Sequence, residues 1–168
     1  MKTYLIPLII LLFSASFSMA QDDAKNNKKL YNPDADAKAD IAKALKEAKK
    51  DGKHVVLQIG GNWCGWCIAY DKKVNENEAL KKLMSDNFVV YHLNYSKENK
   101  NTEVLKELDF PQRFGFPVFV ILDADGKRLH TQNSAYLEEG EGHNVQKIID
   151  CFENWSPKAL DPSAYKEK

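Results

Sequence analysis

Two cysteines stand three residues apart in Trp63-Cys64-Gly65-Trp66-Cys67. They follow the apolar run Val55-Val56-Leu57-Gln58-Ile59-Gly60 and lead into Ile68-Ala69-Tyr70-Asp71-Lys72-Lys73. The first run reads as a buried strand and the second as the start of a helix. A Cys-x-x-Cys pair at a strand-to-helix junction is a setting for thiol redox chemistry. The first turn of a helix has unpaired N–H groups and the positive end of the dipole, and both favour a thiolate over a thiol. Cys64 is placed at that end, and Cys67, one turn on, faces the same side within reach of a disulfide. One thiol can attack a disulfide in another molecule, and the other can then displace the mixed intermediate. The competing use is metal binding. Tetrahedral zinc needs four ligands, yet His54, His92, His130 and His143 are scattered, and no histidine follows Cys67 as c-type haem attachment requires. Copper held by the two thiolates, and an inert bridge, stay open on these residues.

The elements that must position the pair can be read from periodicity. A helix is expected from Asn32-Pro33 to Asp51-Gly52, with Ala37, Ile41, Ala44, Leu45 and Ala48 on its apolar face. A strand over residues 54–60 precedes the cysteine helix, which Asn75-Glu76-Asn77 interrupts before a second helical piece carrying Leu80, Leu83 and Met84. Then come a strand at 88–93, a polar loop at 96–101, a short helix capped by Thr102 and, after Phe114-Gly115-Phe116-Pro117, an apolar strand at 118–122. Asp123-Ala124-Asp125-Gly126 predicts a hairpin turn into an edge strand at 127–132. A long polar loop (133–143) and a last helix (144–155) complete the order. Strands separated by helices are expected to be parallel, with the final hairpin adding an antiparallel edge. The sum is an α/β fold: a mixed central sheet of about four strands, helices on both faces, and the pair beyond the carboxyl end of a central strand.

The ends and totals set the context. Lys2, the apolar residues 5–13 and Ser18-Met19-Ala20 predict a signal peptide over residues 1–20, too short in its apolar part for a membrane span. Residues 21–31 are expected to be a flexible lead-in, 32–156 the folded domain, and 157–168 a frayed tail marked by Pro157 and Pro162. The chain balances 24 basic against 24 acidic residues, and loss of Lys2 leaves it near −1, which argues against nucleic acid or an anionic membrane as partner. Three cysteines are too few for a disulfide-stapled scaffold. Cys151 is expected to be a small buried thiol, the histidines surface or strand residues, and Glu138-Glu139-Gly140-Glu141 solvated. Trp63 is expected to pack against the domain and Trp66 to be exposed.

The Trp63–Cys67 motif after a buried strand, the Phe116-Pro117 step before a later strand and the order of helices and strands together resemble the thioredoxin superfamily. The likeness spans about residues 34 to 156 and implies its three-layer fold. With Lys50-Asp51-Gly52-Lys53 before the first strand and Asp123-Ala124-Asp125-Gly126-Lys127 after the last central one, the chain is most similar to small periplasmic thioredoxin-like proteins related to the reducing domains of disulfide relays. The resemblance implies that Cys64 is the nucleophile and Cys67 the resolving thiol. It implies that Pro117 is cis and faces them, and that Phe116, with Trp63, Gly65 and Trp66, lines the substrate surface. A monomer without dissociable cofactor or metal is expected, and the signal peptide implies export to the periplasm, the cell exterior or an oxidising lumen. Its partners would be cysteine-containing exported proteins and a membrane or soluble thiol donor. Two positions depart from the family. Gln58 stands where thioredoxins carry a buried acid, and an amide cannot take up a proton near neutral pH. Gly65-Trp66 replaces the dipeptides of thioredoxins and of oxidising or isomerising relatives, so a reducing role is expected ahead of an oxidase or isomerase.

Overall fold

The computed structural model describes residues 29–166, so the expected signal peptide, residues 21–28 and the last two residues of the tail lie outside it. Asp36 accepts a hydrogen bond from the Ala39 amide and caps helix α1 (Ala37–Asp51), which ends where Gly52 turns left-handed at φ 67°. The helix therefore starts later than expected. Asn32 takes the Asp34 amide at 3.0 Å in a turn, and Asp36 supplies the cap instead. Strand β1 (His54–Gly60) is buried along its whole length, as a strand paired on both edges and covered on both faces must be. Helices α2 (Gly65–Glu76) and α3 (Glu78–Asn87) are separate because Asn77 leaves the helical region and caps α3 through the Leu80 amide.

Strand β2 (Phe88–Asn94) runs parallel to β1, with His54 opposite Phe88 and Gln58 opposite His92. Helix α4 (Thr102–Glu107) begins one residue from its expected cap. Asn101 precedes it at φ 49° and makes no side-chain cap, because its amide donates to Asn94 O. Strand β3 (Val118–Leu122) then pairs with β1 antiparallel, not parallel as expected. The reason is length. Six residues of helix advance the chain by only about 9 Å, while the seven-residue strand before them covers roughly 23 Å. The chain stays at the end of the sheet where β2 stopped, so β3 must run the other way. Strand β4 (Arg128–Asn133) adds the expected antiparallel edge and gives the order β2-β1-β3-β4.

Residues 133–143 are not an irregular loop, although Glu139, Gly140 and Glu141 are exposed to solvent as expected. A 3₁₀ turn (Ser134–Leu137) and a small hairpin of β5 (Glu138–Glu139) and β6 (Gly142–His143) pack Ser134, Leu137 and His143 into the interior. Asn144 then caps helix α5 (Val145–Asn154) through the Lys147 amide. The tail is ordered as far as it is described, with a 3₁₀ turn at Pro162–Tyr165 and the Tyr165 hydroxyl donating to Ala159 O at 2.7 Å. Two apolar layers sandwich the sheet. Val55, Leu57, Ile59, Leu93, Val118 and Val120 meet α1 and α4 on one face. Val56, Phe88, Phe119 and Ile121 meet α2, α3 and α5 on the other. This is the expected three-layer α/β arrangement, and it holds the amino end of α2 at the carboxyl end of β1.

Candidate redox site

Cys64 is the cap residue of α2. Its Sγ accepts the Cys67 amide at 3.1 Å, and its carbonyl receives the Cys67 and Ile68 amides. A sulfur held there faces the unpaired amides and the positive end of the helix, which favours negative charge on it. Cys67 lies in the first turn with its Cα 5.3 Å from that of Cys64, and the two sulfurs are bonded. The two are unequal toward solvent: Cys64 keeps 6% of its surface exposed and Cys67 none. Gly60 makes the close fit possible. A Cβ there would collide with Cys67 Sγ and lie 2.9 Å from the Tyr31 hydroxyl oxygen.

Tyr31 is the residue that sequence reasoning missed. It falls in the expected flexible lead-in, yet it is fully buried and clusters with Cys64 and Cys67. Asn62 clamps its backbone, accepting the Tyr31 amide at 3.0 Å and donating to the Tyr31 carbonyl at 2.7 Å. Gln58 Nε2 donates to the Tyr31 hydroxyl oxygen at 3.0 Å and approaches the Cys67 carbonyl at 3.4 Å. The apolar pair Leu30-Tyr31, set in a polar stretch, was the available signal.

Around the cysteines the expected surface residues come together. The Phe116–Pro117 peptide is cis, and Phe116 packs against the Tyr31–cysteine cluster. Trp63 sits edge-on to Phe116 with centroids 5.4 Å apart, and Phe116 stacks on Tyr95 at 4.9 Å. Trp63 lies against the domain at Phe116 and Tyr95. Its indole N–H is tied to Tyr95 O at 2.7 Å, and the residue is 58% exposed. Trp66 is exposed, as expected, at 39%. A Cβ on Gly65 would meet nothing, so the approach between the two tryptophans is open.

His143 is a strand residue on β6. It is buried, edge-on to Trp66 at 5.3 Å and to Tyr70 at 5.2 Å, and neither ring nitrogen has a hydrogen-bond partner. Burial holds it below the usual imidazole range, opposed by Glu138 and reinforced by Lys73. The folded ring therefore binds its proton at lower pH than the unfolded one, so stability is full above the unfolded value near 6.5 and falls as pH drops through that value toward the folded one. We expect the urea midpoint to fall between pH 7.5 and pH 5, and His143→Phe to flatten that slope. An equal slope in the variant would remove His143 as the cause.

Two further groups lie outside the pair. Cys151 is half-buried with Sγ 3.4 Å from Gln132 Oε1, and burial pushes its thiol up to about 11. His92 lies beside Gln58 on the same sheet face, with Nε2 3.3 Å from Asp71 Oδ1, at a cavity of about 310 Å³ that Gln58 and Tyr70 also line. Among the described residues no group of three or more histidine, cysteine or acidic side chains converges as a metal site.

Comparisons with known proteins fit this geometry. The thioredoxin-like family model matches residues 36–124. A structure described as a disulphide isomerase from Xylella fastidiosa Temecula1 aligns with 30% identity and TM-score 0.66, covering 74% of this chain and 95% of that one. The C-terminal domain of Neisseria meningitidis DsbD shares the fold, with 20% identity and TM-score 0.53 over 71% of this chain and 96% of that one. A curated relative, the disulfide bond reductase DsbH of Chlamydia pneumoniae, is 27% identical over 94 residues. That match covers 52% of this chain and 57% of the relative, so the chain spans little more than half of the relative's length. The chain belongs to the thioredoxin-like family.

Proposed function

We propose that this chain is an exported thiol–disulfide oxidoreductase that reduces protein disulfides, with Cys64 as nucleophile and Cys67 as resolving thiol. The observation that carries the proposal is the asymmetry of the pair. Cys64, which caps α2, is the residue of the pair with some exposed surface, and Cys67 is fully enclosed. In the reduced state the Cys64 thiolate attacks one sulfur of a substrate disulfide, and the other substrate sulfur leaves as a thiolate. Cys67 then attacks Cys64 Sγ, closes the protein disulfide and releases the second substrate thiol. Two electrons pass to the substrate, and a separate thiol donor restores the pair. Trp63, Trp66, Phe116 and Pro117 frame the approach to Cys64 and favour an extended, apolar polypeptide as substrate. Export rests on residues 1–20 of the sequence, and the periplasm as compartment on the resemblance to small periplasmic thioredoxin-like proteins.

The Chlamydia relative is named a reductase and the Xylella structure an isomerase. Both activities begin with a free thiolate attacking a substrate disulfide, so both need the pair kept reduced. The 30% identity to the isomerase keeps isomerisation as a second reading. The two-electron potential measured against glutathione tests the direction. We expect a value below about −200 mV; a value near −180 mV would favour the isomerase reading, and one near −120 mV would sink the reducing role.

A further inference from the structure

Under the proposed function, Cys67 must become a thiolate in a place no water reaches, beside an amide that cannot accept its proton. We propose that Tyr31, oriented by Gln58, donates its hydroxyl hydrogen to the Cys67 thiolate and so takes the part a buried acid would otherwise have in the resolving step. The hydroxyl oxygen accepts from Gln58 Nε2 at 3.0 Å. Among the described residues no oxygen accepts the hydroxyl hydrogen. A Cβ on Gly60 would collide with Cys67 Sγ and lie 2.9 Å from the Tyr31 hydroxyl oxygen, so the two atoms are neighbours in one buried cluster, with no hydrogen bond between them while the pair is oxidised. Burial raises the Tyr31 hydroxyl well above the usual phenol range, with Gln58 opposing and Asp71 adding to the rise, so it stays a donor at any working pH. A hydrogen bond to the charged form of a group favours that form. Other titratable groups face this corner. Cys64 stands across the disulfide, and the His92–Asp71 pair lies behind Tyr31, with His92 edge-on to its ring at 5.5 Å.

In the step itself the Cys67 S–H loses its proton, which ends on the leaving substrate sulfur, and the thiolate forms a bond to Cys64 Sγ. The bond from Cys64 Sγ to the substrate sulfur breaks, and that sulfur leaves with the electron pair and takes up a proton. Tyr31 stabilises the charge on Cys67 before the bond forms, while Gln58 is a positioning residue that acts through it.

The test uses the full chain. In a Cys64→Ser background, the Cys67 pKa is read from the ultraviolet absorbance of the thiolate, with and without Tyr31→Phe, which removes only the hydroxyl. We expect a rise of about one unit or more, a tenfold loss of thiolate at fixed pH. With Cys64 restored, release of the second substrate thiol should slow about tenfold relative to the first attack. Gln58→Leu, which keeps Tyr31 but frees its hydroxyl, should shift the same pKa by less and covers the case in which Tyr31→Phe does not fold. An unchanged Cys67 pKa in a folded Tyr31→Phe or Gln58→Leu chain would overturn the inference. The pKa needs no substrate, so it reads Tyr31 even if the chain proves not to reduce proteins.

Discussion

Serine in place of Cys64 is expected to take insulin reduction by dithiothreitol down to the uncatalysed rate, a loss of about a thousandfold or more if the sulfur is the nucleophile. The argument is one of charge. A thiol at the cap of α2 is pushed toward the thiolate by the Cys67 amide and the helix dipole, whereas a serine hydroxyl there stays protonated and cannot exchange with a disulfide. Serine in place of Cys67 should act differently. The first attack still occurs, but the mixed disulfide on Cys64 persists and can be isolated with its substrate. Serine in place of Cys151 is the control. That thiol is half-buried and pushed up to about 11, so little of it is ionised and turnover should not change. Retention of insulin reduction after both Cys64 and Cys67 are replaced would end the proposed function.

Alanine in place of Phe119 is expected to cost about 3–5 kcal/mol of stability, a large part of the roughly 5–15 kcal/mol of a typical domain. Phe119 is fully buried on β3, tilted against Tyr70 of α2 at 4.5 Å and edge-on to Phe152 of α5 at 5.7 Å. It joins the helix that carries the cysteines to the helix that closes the layer. Truncation leaves a void between three rigid elements that cannot all move into it. The urea midpoint should fall with the slope unchanged. A loss under about 1 kcal/mol would mean that the layer collapses into the gap, contrary to the packing described.

Local rules were enough for the pair and its supports. The run of Val55 to Gly60 read as a buried strand, Asn75-Glu76-Asn77 marked the break that the structure puts at Asn77, and the Asp123–Gly126 turn returned the chain as an edge. Where sequence reading failed, the deciding contact was distant. The direction of β3 depends on how far a short α4 carries the chain, and periodicity does not measure that. Tyr31 belongs to the site through Asn62 and Gln58, 31 and 27 residues away. His143 looked like one polar residue in a polar loop, yet the β5–β6 hairpin folds it onto Trp66.

The enclosure of Cys67 has a kinetic consequence. Under the proposed function, with Cys64 the sulfur of the pair that a visitor touches, the oxidised substrate and the reducing donor must use the same atom through the same opening between Trp63 and Trp66. They cannot occupy the protein together, so no ternary complex forms and electrons are stored in the pair between two successive visits. The protein then works as a single-berth ferry, with ping-pong turnover in which a surplus of either passenger delays the other.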